Sequence, residues 1–302
     1  MTASRRIAAV IPAHADGLRL DDFLAGRFSY LEAAAWRGEI AAGRVLLNGG
    51  PAEAGAVLRR GDRVAYLPGD IPEPPVDGGY VVLFEDEAIL AVNKPGNLPC
   101  HPAGRYFRHT LWAMLRERLP GEGPFFVHRL DRETSGVVLL AKHARDASIL
   151  GRQLASGAIR KRYTALVEGR FPAGTLTARG VVLADPASRI RKKMRFVEAA
   201  ASPEGPPAGA KPCLTRFRAM RTGQAVSLVS AFPGTGRRHQ IRATLLALGH
   251  PVVGDKVYGV DESLFLRFIT DRLTAPDRGR LRMDRQALHA AAISFSDRKS
   301  VV

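Results

Sequence analysis

Residues 127–142 read V-H-R-L-D-R-E-T-S-G-V-V-L-L-A-K, and the reading of the whole chain turns on them. The apolar runs FFVHRL (125–130) and GVVLLAK (136–142) have the length and β-branched content of strands, and DRETS between them is a tight loop. Asp131 therefore sits on a strand–loop–strand frame, which is how a reactive group gets a fixed aim. Arg129 and Arg132 flank it, and their charge is expected to keep the carboxylate ionised. Thr134, Ser135 and Gly136 supply the turn chemistry that returns the chain to the sheet. On local composition alone, a plain surface loop with an ion pair accounts for these residues better than a catalytic one. The rest of the chain has to decide.

Outward from this loop the strands come in adjacent runs. YVVLFED (80–86) and AILAVNKPG (88–96) flank an acidic turn, and RKRYTALVEGR (160–170) alternates in burial. KPCLTRFRAM (211–220), AVSLVSAF (225–232) and LHAAAISF (288–295) complete the strand set. Helices are expected over Thr110–Leu119, 145–156, His239–Gly249 and the Arg-rich segment 261–287. Without β-α-β alternation a parallel sheet is disfavoured. The expected class is α+β: a mostly antiparallel curved β-sheet with flanking helices. Residues 1–67 read as a separate small α/β unit. Its helices lie over Leu18–Phe28 and Leu31–Ala41, a strand at Val45–Leu47 runs into Asn48-Gly49-Gly50, and another strand follows at Val64–Leu67. PGDIPEPPVDGG (68–79) has no periodicity and reads as a linker to the main domain, 80–302. ASPEGPPAGA (201–210) reads as a flexible hairpin excursion between two strands.

A length of 302 residues suffices for one large domain and a small one. With 46% hydrophobic and 25% charged residues, the chain is an ordinary globular one rather than a disordered one. No apolar run approaches the roughly 20 residues of a membrane span. The opening MTASRRIAAVIPAHADG is broken by Pro12, His14 and Asp16, so it does not read as a signal peptide. Cys100 and Cys213 lack metal-ligand spacing and suit a reducing compartment, so the expected location is the cytoplasm. The net charge is +16, from 45 basic against 29 acidic residues. A compositional preference for Arg over Lys does not explain that excess. It favours a polyanionic partner, RNA before any other.

Two further segments carry candidate chemistry. GTGRRHQIRAT (234–244) leads glycines into a helix on which His239 and Arg242, three apart, share a face turned away from the Ile241/Leu245/Leu248 stripe. Such an entry can receive a phosphate through free backbone N–H groups, or can be a bare helix cap. Tyr163 lies on a basic strand, where it can stack on a base or simply be a half-buried strand tyrosine. Several classes fall away. HRLD lacks the Asn, Gly-rich loop and D-F-G of a kinase. There is no G-x-x-x-x-G-K-[ST] and no zinc-deaminase signature. No metal or organic cofactor is called for.

Taken together, these segments resemble the RluA-type pseudouridine synthase family, which modifies uridines in ribosomal and transfer RNA. The resemblance runs over nearly the whole chain. AILAVNKPGNLPCHPAGR (88–105) looks like the family's NKP-containing motif, and HRLDRETSG (128–136) like its signature around the catalytic aspartate. KRYTALVEG (161–169) looks like its tyrosine strand, and GTGRRHQIRATLLALGHPVVGDKVYG (234–259) like its last long motif. Residues 18–67 look like the S4-type RNA-binding module that many members carry, although Ala34-Ala35-Trp36 stands where polar or basic residues are usual. The resemblance implies catalytic roles for Asp131, Tyr163 and Arg242, with Arg242 pairing the aspartate. It implies RNA contacts for Arg129, Arg132, Arg238 and His239, with Arg129 filling the gap left by a flipped base. It also implies a cofactor-free isomerase, taken here as a monomer acting on ribosomal or transfer RNA. The alternative is a non-catalytic RNA-binding or ribosome-assembly protein on the same fold. A nucleoside glycosidase would want a second catalytic carboxylate, and none stands in these motifs.

Overall fold

The structure, a computed structural model, describes residues 6–28, 31, 33–69, 72–119, 121, 123–199 and 209–296. Most of the 201–210 excursion and the end of the C-terminal tail lie outside the described residues. The chain divides into two compact units: residues 1–75 with 101–113, and residues 76–100 with 114–302.

In the first unit β1 (Ile7–Val10), β4 (Arg63–Tyr66), β2 (Val45–Leu47) and β3 (Gly50–Pro51) form an antiparallel sheet in that order. Helices α1 (Leu20–Arg27) and α2 (Ala33–Ala41) join its core. The β2–β3 loop is Asn48-Gly49, with φ of 53° and 91°, the positive pair that a two-residue hairpin requires. Gly50 belongs to the strand that follows. Strand β1 was not legible in the sequence, because IAAV is a short and weakly apolar run. Trp36 is fully buried, its ring 4.8 Å from that of Tyr66. It is a core residue and no part of an RNA-facing surface. Arg44 forks onto Glu39, which also accepts the Tyr66 hydroxyl at 2.7 Å. The segment 101–113 groups with this unit, and in it Glu73 accepts the backbone N–H groups of Phe107, Arg108 and His109.

The second unit is a ten-stranded sheet. Its strands are β5 (Val81–Glu85), β6 (Ile89–Lys94), β7 (Phe125–Phe126), β8 (Ser135–Ala141), β9 (Arg160–Glu168), β10 (Thr175–Ala184), β11 (Met194–Glu198), β12 (Lys211–Thr222), β13 (Val226–Pro233) and β14 (Leu288–Ser294). The order is β11-β10-β12-β13-β9-β14-β8-β6-β5, with β7 beside β8. Every pairing is antiparallel except β14 with β8. The α+β class read from the adjacent strand runs is therefore the observed one, with a single parallel pairing among the described residues. The helices of this unit are α4 (Ala144–Ala155), α5 (Gln240–Ala247), α6 (Ser263–Ile269) and α7 (Ala275–Leu281), and α3 (Leu111–Arg118) begins in the first unit and ends in the second. Strand β9 alternates as expected: Tyr163, Ala165 and Val167 point into the core.

Two expectations are corrected. FFVHRL is a strand only over its first two residues, because the His128 imidazole, rather than a ladder carbonyl, accepts the Leu139 N–H at 3.3 Å. Segment 261–287 is two short helices rather than one. Thr274 and Asp277 form a capping box that starts α7 afresh, and Asp277 takes a fork from Arg267 at 2.9 Å on both arms. Cys100 and Cys213 are both free and buried. Among the described residues no helix is long and apolar enough to cross a membrane.

Candidate active site

The centre of the sheet aims the site. Asp131 stands in the loop between β7 and β8, Tyr163 near the start of β9, and Arg242 on α5, which packs over β10–β13. Gly136 makes the β8–β14 crossing possible. Its φ is 113°, and a Cβ there would stand 2.3 Å from the Ala290 carbonyl oxygen. The loop is closed by the Thr134 N–H donating to the Asp131 carbonyl at 3.2 Å.

Below the loop lies Lys94 of the NKP segment, fully buried. Its ammonium donates to the carbonyls of Pro95, Leu98 and Arg132 at 2.7, 2.8 and 3.2 Å. It thus ties the chain after β6 to the backbone beside Asp131. Burial pulls its pKa down to about 8.

Arg242 is 6% exposed and binds two carboxylates. Its Nη1 donates to Asp131 Oδ2 at 2.6 Å, while its Nε and Nη2 fork onto Asp255 at 2.6 and 2.8 Å. Asp255 is completely buried and also accepts the N–H groups of Val257 and Tyr258, each at 2.9 Å. Burial by itself would raise the pKa of Asp131. The Arg242 charge and hydrogen bond more than offset this and hold the carboxyl below its ordinary value. The sequence reading gave that task to Arg129 and Arg132. Arg132 instead pairs with Glu133 at 2.9 Å, and Arg129 is exposed at the rim. The reading of α5 as amphipathic is also corrected: every residue from Gln240 to Leu245 is buried, Arg242 included. The phosphate-receiving helix entry closes on itself, since the Gln240 side-chain oxygen accepts from the Arg237 N–H and the Thr235 hydroxyl.

His239 caps α5 in the left-handed conformation, φ 54°, which turns its ring toward Asp131. The Tyr258 oxygen accepts the Met194 N–H at 2.7 Å and its hydroxyl lies 2.8 Å from His239 Nδ1. That contact fixes the ring with Nε2 facing Asp131 Oδ1 at 3.7 Å, too long for a hydrogen bond. Burial holds the imidazole pKa down at about 4, so the ring is neutral at pH 7. Arg238 is exposed and outside this cluster.

A cavity of about 90 Å³ opens beside the pair, lined by Asp131, Tyr163, Leu130, Ile241, Leu288 and Lys161 among others. Burial, then the neighbouring Asp131 charge, raises the Tyr163 phenol far above its ordinary value. It stays protonated and presents a neutral ring to whatever enters. A second cavity of about 140 Å³ shares Asp131, His239 and Arg242 with the first.

The site thus unites Asp131, Tyr163, Arg242 and His239. It leaves Arg129 at the rim, Arg132 on the far side of Asp131 and Arg238 outside. The residues not singled out from sequence are Asp255, Tyr258 and Lys94. All three stand in segments quoted above, GDKVYG and NKP, but nothing local shows that their side chains converge.

One consequence is testable by pH. Asp131 titrates below 3.8, His239 at about 4 and Lys94 at about 8. The chemical step should therefore be flat from about pH 5 to about pH 7.5 in single-turnover kinetics. A limb centred near pH 6.5, the ordinary imidazole value, would show that His239 is solvated and charged.

The mostly antiparallel sheet thus presents a partly exposed aspartate, paired with a buried arginine, beside a tyrosine-lined cavity on a chain of high positive charge. Residues 88–247, more than half of the chain, match the family described as RNA pseudouridylate synthase, and the chain belongs to that family. It is 36% identical to an uncharacterized RNA pseudouridine synthase of Chloroflexus aurantiacus, over 98% of this chain and 87% of that one. It is 34% identical to the mitochondrial tRNA pseudouridine(32) synthase of Saccharomyces cerevisiae over 81% of this chain, which spans only 51% of the yeast protein. It is 32% identical to ribosomal large subunit pseudouridine synthase D of Xylella fastidiosa, over 94% of this chain and 83% of that one. The solved structure of human RNA pseudouridylate synthase domain containing 1 superposes with a TM-score of 0.58 at 27% identity, covering 76% of this chain and 84% of that one.

Proposed function

We propose that this chain isomerises uridine to pseudouridine in RNA, and that its substrate is ribosomal RNA. The observation that carries the reading is the Asp131 carboxylate, held ionised by Arg242 at the mouth of a cavity floored by a neutral tyrosine. The reaction breaks the N1–C1′ bond, turns the uracil within the pocket and joins C5 to C1′, after which the C5 proton leaves and N1 takes up a proton, so the product is an isomer. No electrons are gained or lost and no energy source is consumed. Asp131 acts at the ribose, either as nucleophile on C1′ or as base on a ribose proton. Tyr163 packs against the freed uracil and limits its motion. Burial and the Asp131 charge favour its protonated form. The base must first leave its stack, which exposed Arg129 at the rim is placed to compensate.

The lean toward ribosomal RNA rests on extent. The Xylella synthase is matched over most of both chains, whereas the yeast transfer-RNA synthase is matched over half of its length. Residues 1–67 are proposed as an S4-like RNA-binding module, with Arg6, Asn48 and Arg63 around one concavity of its sheet. The protein is proposed to work in the cytoplasm as a monomer.

Tritium release from RNA labelled at uridine C5 tests the activity. Stoichiometric release is expected, and none from wild-type protein on total RNA of a deletion strain would leave a binding protein on the same fold. Carbodiimide-stop mapping of that strain's RNA tests the target, with the missing stop expected in ribosomal RNA.

A further inference from the structure

The second cavity carries more positive charge than its own carboxylates use. Glu133 takes both Lys256, at 3.0 Å, and Arg132, at 2.9 Å. Asp131 and Asp255 take Arg242. Lys192, from the turn between β10 and β11, also lines this cavity, and among the described residues no carboxylate lies within ion-pair reach of it. Its ammonium instead sits 4.4 Å over the Phe265 ring of α6. One turn further along α6, Phe268 lies under Lys256 and Arg132 at 4.7 and 5.5 Å. Rings of this kind hold cations in place without neutralising them. Lys192 is exposed at the edge of this cavity, and partial desolvation, then the like charges of Arg242, Arg132 and Arg238, lowers its pKa. A surplus cation held against other cations in a concave site is what an anion would relieve.

The order of groups in a nucleotide says which anion. Asp131, His239 and Arg242 form the wall common to both cavities. A uridine with its base beside Tyr163 has its ribose at Asp131, and its phosphate is then directed to the other side of that wall.

We infer that the second cavity is an anion subsite for the phosphodiester adjoining the target uridine, with Lys192 as the cation that recognises it. This deepens the proposed function and rests on it for the identity of the neighbouring group. The Lys192 ammonium, on a rotatable stem, makes a charge-assisted contact to a phosphate oxygen. Arg132 and Lys256, already committed to Glu133, set the field around it.

The test is equilibrium RNA binding at two salt concentrations, with single-turnover kinetics at saturating enzyme. Lys192→Gln should weaken binding about tenfold and lower the salt slope by about one. The affinity should fall more than the rate at saturation. Lys192→Arg should keep most of the affinity, and Lys211→Gln, an exposed cation on β12, should change it less than about twofold. RNA oligonucleotides carrying one neutral methylphosphonate linkage at a time locate the contact. One linkage should cost the wild type about tenfold and cost Lys192→Gln nothing more, and it should flank the modified uridine. Unchanged affinity in a folded Lys192→Gln protein overturns the subsite, as does a sensitive linkage remote from that uridine. If the wild type makes no pseudouridine yet Lys192→Gln still weakens binding with the reduced slope, the anion site stands and the catalytic reading fails.

Discussion

Asp131→Asn should lower the rate of the chemical step by on the order of a thousandfold, about 4 kcal/mol of barrier, while the fold and RNA affinity persist. Asn has nearly the same shape, and its amide oxygen can still accept from Arg242 Nη1. Asp255 continues to neutralise the guanidinium through the other two nitrogens, so no buried charge is stranded. Only the negative charge that acts on the ribose is lost. Single-turnover tritium release at saturating enzyme measures the step, and thermal unfolding checks that the protein is intact. Residual turnover within tenfold of wild type would mean that another group does the chemistry. The side chain is 31% exposed, enough to be reached by substrate, while its partner Arg242 is 7% exposed and is not.

The second large effect is expected at Arg242, and it differs from what the sequence alone suggests. Read from the motif, Arg242 is a residue that pairs with Asp131, so its removal should mainly cut the chemical step. In the structure it is the only described side chain bridging Asp131 and the fully buried Asp255. Arg242→Ala strands the Asp255 carboxylate with two backbone N–H donors. Breaking a buried pair this way costs about 3–5 kcal/mol of stability. The chemical step should fall as well, because Asp131 loses both its aim and the charge that depresses its pKa. Arg242→Lys restores charge without the fork and should recover part of either property. A double-mutant cycle with Asp255→Asn isolates the pair: denaturant unfolding should give a coupling above about 1 kcal/mol. Independent effects would mean that Asp255 is a packing residue with no bearing on the site. The pH dependence has a definite sign. Asp255 and Asp131 both have folded pKa values below their unfolded ones. Their stabilisation is therefore complete above about pH 4 and is lost as pH falls through the folded values. Asp255→Asn should flatten that acid loss.

What the sequence by itself determined was whatever depends on neighbours a few residues apart. The period of RKRYTALVE put Tyr163 on a strand of alternating burial. Asn48-Gly49 called for a turn, the adjacent strand runs favoured antiparallel pairing, and the resemblance of the motifs to a known family singled out Asp131, Tyr163 and Arg242. The tertiary structure alone decided which charges meet. Asp131 ignores the two arginines beside it and pairs with one 111 residues away, because Arg129 stands exposed at the rim and Glu133 claims Arg132. Asp255, Tyr258 and Lys94 looked like ordinary polar residues, since convergence on one carboxylate is a property of how β8, β9, β14 and α5 pack. The one parallel pairing, β8 with β14, joins segments from opposite ends of the unit at Gly136 and is invisible to any local window. The strand FFVHRL stopped short for a like reason: its His128 binds the Leu139 N–H, a partner that exists only once the chain has folded back. Local periodicity is written in residue types, whereas the choice of an ionic partner follows from distance and burial, and both are set by long-range closure of the sheet.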